Sequence, residues 1–131
     1  MADEWRYRWY RTADGKCPLR EFLADVRKSA RDTDVPKILA LVEKVAKYPA
    51  FRQPRFTREI KGEGFWEVRI IVPGYRVFYL RRPGLMVLLD GIKKKSDKAR
   101  PGDLKRVGNY RTDYLERCLD DEAEWDEELY A

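Results

Sequence analysis

An α+β fold is predicted for this 131-residue chain by three observations. Two segments of helical period lie side by side near the N-terminus. Four strand-like segments then follow one another, separated by short Gly/Pro turns. A last helical segment comes after them. The predicted order is β-α-α-β-β-β-β-α, an antiparallel meander sheet with a helical pair packed on one face and a C-terminal helix.

Each element has a local cause. Trp5 to Arg11 alternates aromatic with basic residues, so that Trp5, Tyr7 and Trp9 share one face of a strand and Arg6 and Arg8 the other. Asp14-Gly15 makes a turn, and Pro18 suits the first turn of a helix whose stripe is Leu19, Phe22, Leu23, Val26 and Ala30, running to about Arg31. Asp34 is the expected N-cap of the second helix, which carries Val35, Ile38, Leu39, Val42 and Val45. After a loop from Pro49 to Pro54, strands are expected at 56–60, 65–72, 75–81 and 85–89, with turns at Gly62-Glu63-Gly64, Pro73-Gly74 and Arg82-Pro83-Gly84. The unbroken apolar run Leu85 to Leu89 suits an inner strand. Pro101 opens the final helix, with Leu104, Val107, Tyr114, Leu115 and Cys118 on or near one stripe.

Composition bounds the function. At 44% hydrophobic and 13% aromatic the chain can bury a core of one domain. Its formal charge of +5 hides a split: residues 120–131 hold seven acidic residues and no Lys or Arg, so residues 1–119 alone carry +12. Such a charge points to an anionic partner: nucleic acid, ribosome, an acidic protein or a membrane surface. The expected division is a domain over 1–119 and an acidic tail over 120–131. That tail is either a solvated end or a short helix anchored by Trp125 and Leu129, its carboxylates mimicking RNA phosphate beside a basic face. Cys17 and Cys118 are far apart in sequence, no Cys/His cluster exists, and no metal or cofactor is expected. No apolar leader or membrane-length run is present, so a cytoplasmic protein without a membrane partner is expected. Histidine is absent, which removes Ser–His and Cys–His nucleophile systems. Any catalysis must rest on carboxylates, Lys, Arg, Tyr or the substrate itself.

The segment Ile60 to Lys98 holds the most unusual pattern. Arg69 and Arg76 sit inside apolar strands, and lysines cluster after the last strand at Lys93, Lys94 and Lys95, followed by Lys98. A charge within a strand is costly unless it meets water, a partner or a ligand. Glu67 and Arg69, two apart, share a face. Glu67 is either a site carboxylate or a structural partner of Arg69 or Arg76, and Arg76 either a site residue or a solvated edge. Trp66 and Tyr79 fit the core better than a stacking platform. Arg6, Arg8 and Lys61 are either RNA contacts or plain exposed charges.

Three segments, PLREFLADVR, KGEGFWEVRIIVPGYRVFYL and LLDGIKKKSDKARPGDLKR, occur in this order. Together with the element order they resemble the RelE/ParE superfamily of bacterial toxins, most of all its HigB-like, phage-derived RelE-type branch, over roughly residues 5–117. The resemblance implies the toxin of a type II toxin-antitoxin system, paired with a cognate antitoxin of the helix-turn-helix kind. It implies a ribosome-dependent endoribonuclease, an mRNA interferase, in which the 2′-hydroxyl attacks the adjacent phosphate without a metal. The family's catalytic positions fall here on Glu67, Arg69, Arg76, Lys93 and Lys94, with RNA binding expected from Arg6, Arg8, Lys61, Lys95 and Lys98. Many relatives carry His where Asp90 stands. The alternatives are a ParE-like gyrase inhibitor of the same fold and a basic binding protein without catalysis.

Overall fold

The computed structural model describes residues 3–29, 32–94 and 101–130. Among them are β1 (Arg6–Trp9), α1 (Pro18–Ser29), α2 (Asp34–Lys47), β2 (Thr57–Ile60), β3 (Phe65–Ile70), β4 (Tyr75–Arg82), β5 (Leu85–Lys93) and α3 (Pro101–Arg117). The order of elements is the expected one. The five strands form one open, mixed sheet in the order β1-β5-β4-β3-β2. β2 to β5 are the antiparallel meander, and β1 lies parallel to β5 at the edge, Arg6 opposite Leu85 and Trp9 opposite Leu88.

The sheet is covered on both faces. Alternation in β1 sends Tyr7 and Trp9 to the face under α1 and α2, where they join Val68, Val77, Tyr79 and Leu88 in the larger core. The opposite face buries Phe65, Phe78, Leu80, Val87 and Leu89 against Val107 and Tyr114 of α3. β5 therefore has apolar neighbours on both sides, as its unbroken apolar run predicts. An irregularity in the β4–β5 ladder, where Phe78 faces Asp90 but Tyr79 faces Leu88, leaves Leu89 as the extra residue and turns both Leu89 and Asp90 toward α3. Gly91 follows because α1 packs close: a Cβ there would lie 2.5 Å from the Phe22 ring.

Two expectations need correction. Asp34 is the first residue of α2 rather than its cap; the cap position is Thr33, which makes no side-chain capping bond. The Asp34 carboxylate instead accepts a 2.7 Å hydrogen bond from the Tyr75 hydroxyl, fastening α2 to the sheet. Burial and this bond push the Tyr75 pKa up to about 12. The acidic tail, in turn, forms neither a solvated end nor a helix around Trp125 and Leu129. After a short 3₁₀ turn at Glu122–Glu124 it runs extended along the free edge of β1. Glu127 makes an antiparallel bridge with Tyr7 and its carboxylate accepts the Trp9 amide at 2.8 Å. Leu129 enters the larger core at 3% exposure, and Trp125 packs against the other. A free strand edge is a template for unwanted pairing, and the tail covers this one.

Replacing Leu129 by Ala is expected to cost about 2 kcal/mol or more of unfolding free energy, in the range of buried Leu-to-Ala changes. Urea denaturation followed by circular dichroism measures it. A solvated tail would show no change.

Candidate anion-binding site

Beyond the part of the sheet covered by α3, the same face carries charge. The register builds it in two rows. Arg58 of β2 stands opposite Glu67 of β3, and Glu67 opposite Phe78 of β4, which faces Asp90 of β5. In the next row Arg69 is directly opposite Arg76, and Arg76 opposite Ile92. Like charges placed directly across a ladder repel, so the Arg69/Arg76 pair is an arrangement that sheet stability alone does not favour.

Glu67 answers part of that charge. Its Oε1 lies 3.1 Å from Arg76 Nε and its Oε2 3.4 Å from Arg58 Nε. The first pair is buried, with 1% of the Glu67 side chain and 3% of the Arg76 side chain exposed. Arg58, by contrast, is 47% exposed. Arg69 donates to the Pro54 carbonyl at 2.9 Å, which fixes its guanidinium at the rim. Lys94 is placed by its own amide, which donates to the Gly74 carbonyl at 2.9 Å. Arg69, Arg76 and Lys94 then line one small hollow of about 10 Å³. Two guanidinium groups thus meet the Glu67 carboxylate, and one of them, Arg76, also shares a hollow with Arg69 and Lys94.

The expected site residues are only partly brought together. Glu67 meets Arg76, and Arg76 shares its hollow with Arg69 and Lys94. Lys93 is not brought to them: it stands opposite Tyr75, whose ring belongs to the core under α1 and α2, so Lys93 points from the other face. Lys61 lies in the β2–β3 turn, beyond the Ile60–Phe65 pair, at the far end of the hairpin from Arg69. Lys95 and Lys98 lie outside the described residues.

Arg6 and Arg8 are occupied by the tail rather than offered to RNA. Arg6 donates to the carbonyls of Ala123 and Trp125. Arg8 is buried; it pairs with Asp121 at 2.7 Å, donates to the Cys118 carbonyl at 2.9 Å and lies 3.8 Å from the Trp125 ring centre. Arg11 pairs with Glu127 and Arg82 with Glu122. The tail's carboxylates therefore neutralise arginines along the β1 edge and at the far end of β4. The β1-edge carboxylates are separated from Glu67 by β5 and β4, and Glu122 sits at the opposite end of β4 from Arg76, so none of these pairs covers the cationic cluster. Burial resists the charge on Glu127, but hydrogen bonds from Arg11 and the Trp9 amide outweigh it and hold its pKa below the usual glutamate value.

Two members of this face were missed in the sequence. The pattern gives Arg58 only a place in a strand, and its pairing with Glu67 depends on a register that sequence does not show. Asp90 is a second buried carboxylate on the same face, bonded by the Gly91 amide at 2.8 Å and by Arg106 of α3 at 2.9 Å. Burial raises its pKa above the ordinary aspartate value against the pull of those two bonds. An aspartate closing an unbroken apolar run was the available signal.

No protein-family model matches the chain, and no curated protein does. Among the described residues no helix is long and apolar enough to cross a membrane.

Breaking a buried ion pair from one side leaves a charge without its counter-charge, which typically costs about 3–5 kcal/mol. Glu67→Ala is expected to lose about that much stability, and the apolar double substitution Glu67→Leu/Arg76→Met to recover most of it; thermal and urea melts of the three proteins measure the difference. The tail responds to pH with a definite sign. Because the Glu127 pKa is lowered on folding, its stabilising contribution is present at neutral pH and is lost as pH falls below about 4.3, the ordinary glutamate value. Hydrogen exchange at the amides of 125–130 is expected to speed up through that window beyond the intrinsic pH effect, and Glu127→Gln to flatten the change.

Proposed function

We propose that this chain is a RelE-type toxin that cuts messenger RNA on the ribosome through attack of the 2′-hydroxyl on its own phosphate. The observation that carries this reading is a run of cationic side chains on one face of the sheet: Arg58 and Arg76 on the Glu67 carboxylate, and Arg69 and Lys94 in one hollow with Arg76. The β-α-α-β-β-β-β-α order and the Trp66-Glu67-Val68-Arg69 and Gly74-Tyr75-Arg76 motifs support it.

The chemistry needs a base, cations around a pentacoordinate phosphate and an acid for the leaving oxygen. Arg69 and Arg58 are exposed enough to meet a phosphodiester and can hold it through paired N–H donors. The phosphate competes with Glu67 for Arg58. As Arg58 swings to it, Glu67 Oε2 is uncovered, while Arg76 holds the carboxylate in place through Oε1. Oε2 takes the proton of the 2′-hydroxyl. The 2′-oxygen forms its bond to phosphorus as the 5′-oxygen bond breaks, and the Lys94 ammonium gives its proton to the departing 5′-oxygen. The products are a 2′,3′-cyclic phosphate and a 5′-hydroxyl end, and the scheme uses no cofactor. A cognate antitoxin would be the neutralising partner.

The burial of Glu67 and Arg76 favours one second reading, a basic RNA-binding protein in which this pair is purely structural. Induction of the chain in bacterial cells without a neutralising partner separates the readings. Growth arrest with new 5′-hydroxyl ends in mRNA, abolished by Arg69→Ala, is expected. Arrest with DNA damage would indicate gyrase inhibition instead, and absence of arrest the binding protein.

A further inference from the structure

Between the start of β1, the C-terminal end of α2 and the tail lies another hollow, of about 370 Å³. Its charge runs against that of the chain. Glu4, Glu43, Asp126 and Glu128 border it, in a protein of net charge +5. Glu43 meets Lys47 at 3.6 Å, a partly solvated i,i+4 pair of little strength. Arg6 is engaged with the tail carbonyls and Glu127 with Arg11. Acidic side chains on a surface are ordinary by themselves, but the floor of this hollow is not. Tyr7 is 9% exposed, and its buried hydroxyl has no hydrogen-bond partner among the described residues. An unpaired buried hydroxyl costs stability that a ligand can restore. Burial first, then Glu43, Tyr130 and Glu4, raise the Tyr7 pKa above the ordinary tyrosine value, so the phenol keeps its proton beside those carboxylates.

We propose that this hollow binds a linear aliphatic polyamine, its ammonium groups on Glu4, Glu43, Asp126 and Glu128 and one N–H donated to the Tyr7 hydroxyl oxygen. Charge complementarity selects the sign of the ligand. The placing of the carboxylates selects its shape. They come from three separate segments, and among the described residues no three of them converge as a metal ion requires. A chain of cations spaced by methylenes reaches all three. The methylenes have an apolar wall in Leu129 and the Tyr130 ring. The volume lies near the lower end for small-molecule sites, which suits a di- or triamine. Asp126 and Glu128 belong to the tail and Glu43 to α2, so an amine bridging them fastens the tail to the body and adds to the Arg11–Glu127 pair.

The proposal stands apart from the nuclease reading and is tested without it. The full chain, freed of nucleic acid, is titrated calorimetrically with spermidine, and with magnesium chloride at equal ionic strength as the control for screening. Saturable binding of one spermidine per chain is expected, weakening as salt rises, with no such binding of magnesium. Tyr7→Phe removes only the unpaired hydroxyl. It is expected to melt no lower than the unaltered protein and yet to bind spermidine about tenfold more weakly, the worth of one hydrogen bond to a charged group. Glu43→Gln, on the surface of α2, is expected to weaken binding by a similar factor. Hydrogen exchange at the amides of 126–130 is expected to slow when spermidine is bound. Circular dichroism melts establish that both variants are folded. Absence of saturable binding, an equal response to magnesium, or unchanged spermidine affinity in either folded variant overturns the proposal.

Discussion

The candidate site depends on one buried interaction, the pairing of Glu67 with Arg76 across the middle of the sheet. Two charges taken out of water recover their desolvation cost only by holding each other closely. Apolar side chains of similar volume would serve stability about as well. What the pair adds is position. It fixes one guanidinium and one carboxylate on neighbouring strands, next to Arg69, so that charge density is set by the ladder rather than by mobile side chains. Arg69 and Lys94 then flank the pair's Arg76 end, and Arg58, half in solvent, lies 3.4 Å from its carboxylate end. On the proposed reading this division separates a fixed half of the site from a half that moves with the phosphate.

The basic charge of residues 1–119 is spent in two places. Along β1, arginines are matched by the acidic tail, which seals a strand edge and closes both cores with Leu129 and Trp125. At the opposite side of the sheet the cluster around Glu67 has no contribution from that tail. The split in the sequence charge is thus resolved in space: the acidic end neutralises the edge where RNA contacts were expected and leaves the β3–β4 face cationic.

Local rules made the elements legible. Period-2 and period-3.6 patterns, with Gly and Pro as punctuation, gave the order of helices and strands, and two-residue spacing put Glu67 and Arg69 on one face. Long-range facts were not legible. The place of β1 beside β5 joins residues nearly eighty positions apart and leaves no local trace. The partnership of Arg58 with Glu67 depends on the β2–β3 register, and the removal of Lys93 to the other face on the parity of β5. Asp34 illustrates the limit of a local rule: its type and position suited a cap, but a tyrosine forty-one residues away claimed the carboxylate. Arg6 and Arg8 show the same limit, since exposure of a basic face cannot be read without knowing what lies over it.

The central claim is that this cluster breaks RNA, with Glu67 as the base and Arg69 holding the phosphate. Its most direct test is the rate of mRNA cleavage on programmed ribosomes by the intact protein, by Glu67→Gln and by Arg69→Ala, each shown to be folded by circular dichroism. Loss of a general base or of a transition-state cation each costs on the order of 100-fold or more. The account predicts such a loss in both variants, with 5′-hydroxyl products from the unaltered protein. Cleavage at the unaltered rate by either folded variant, or no cleavage by the intact protein, would contradict it.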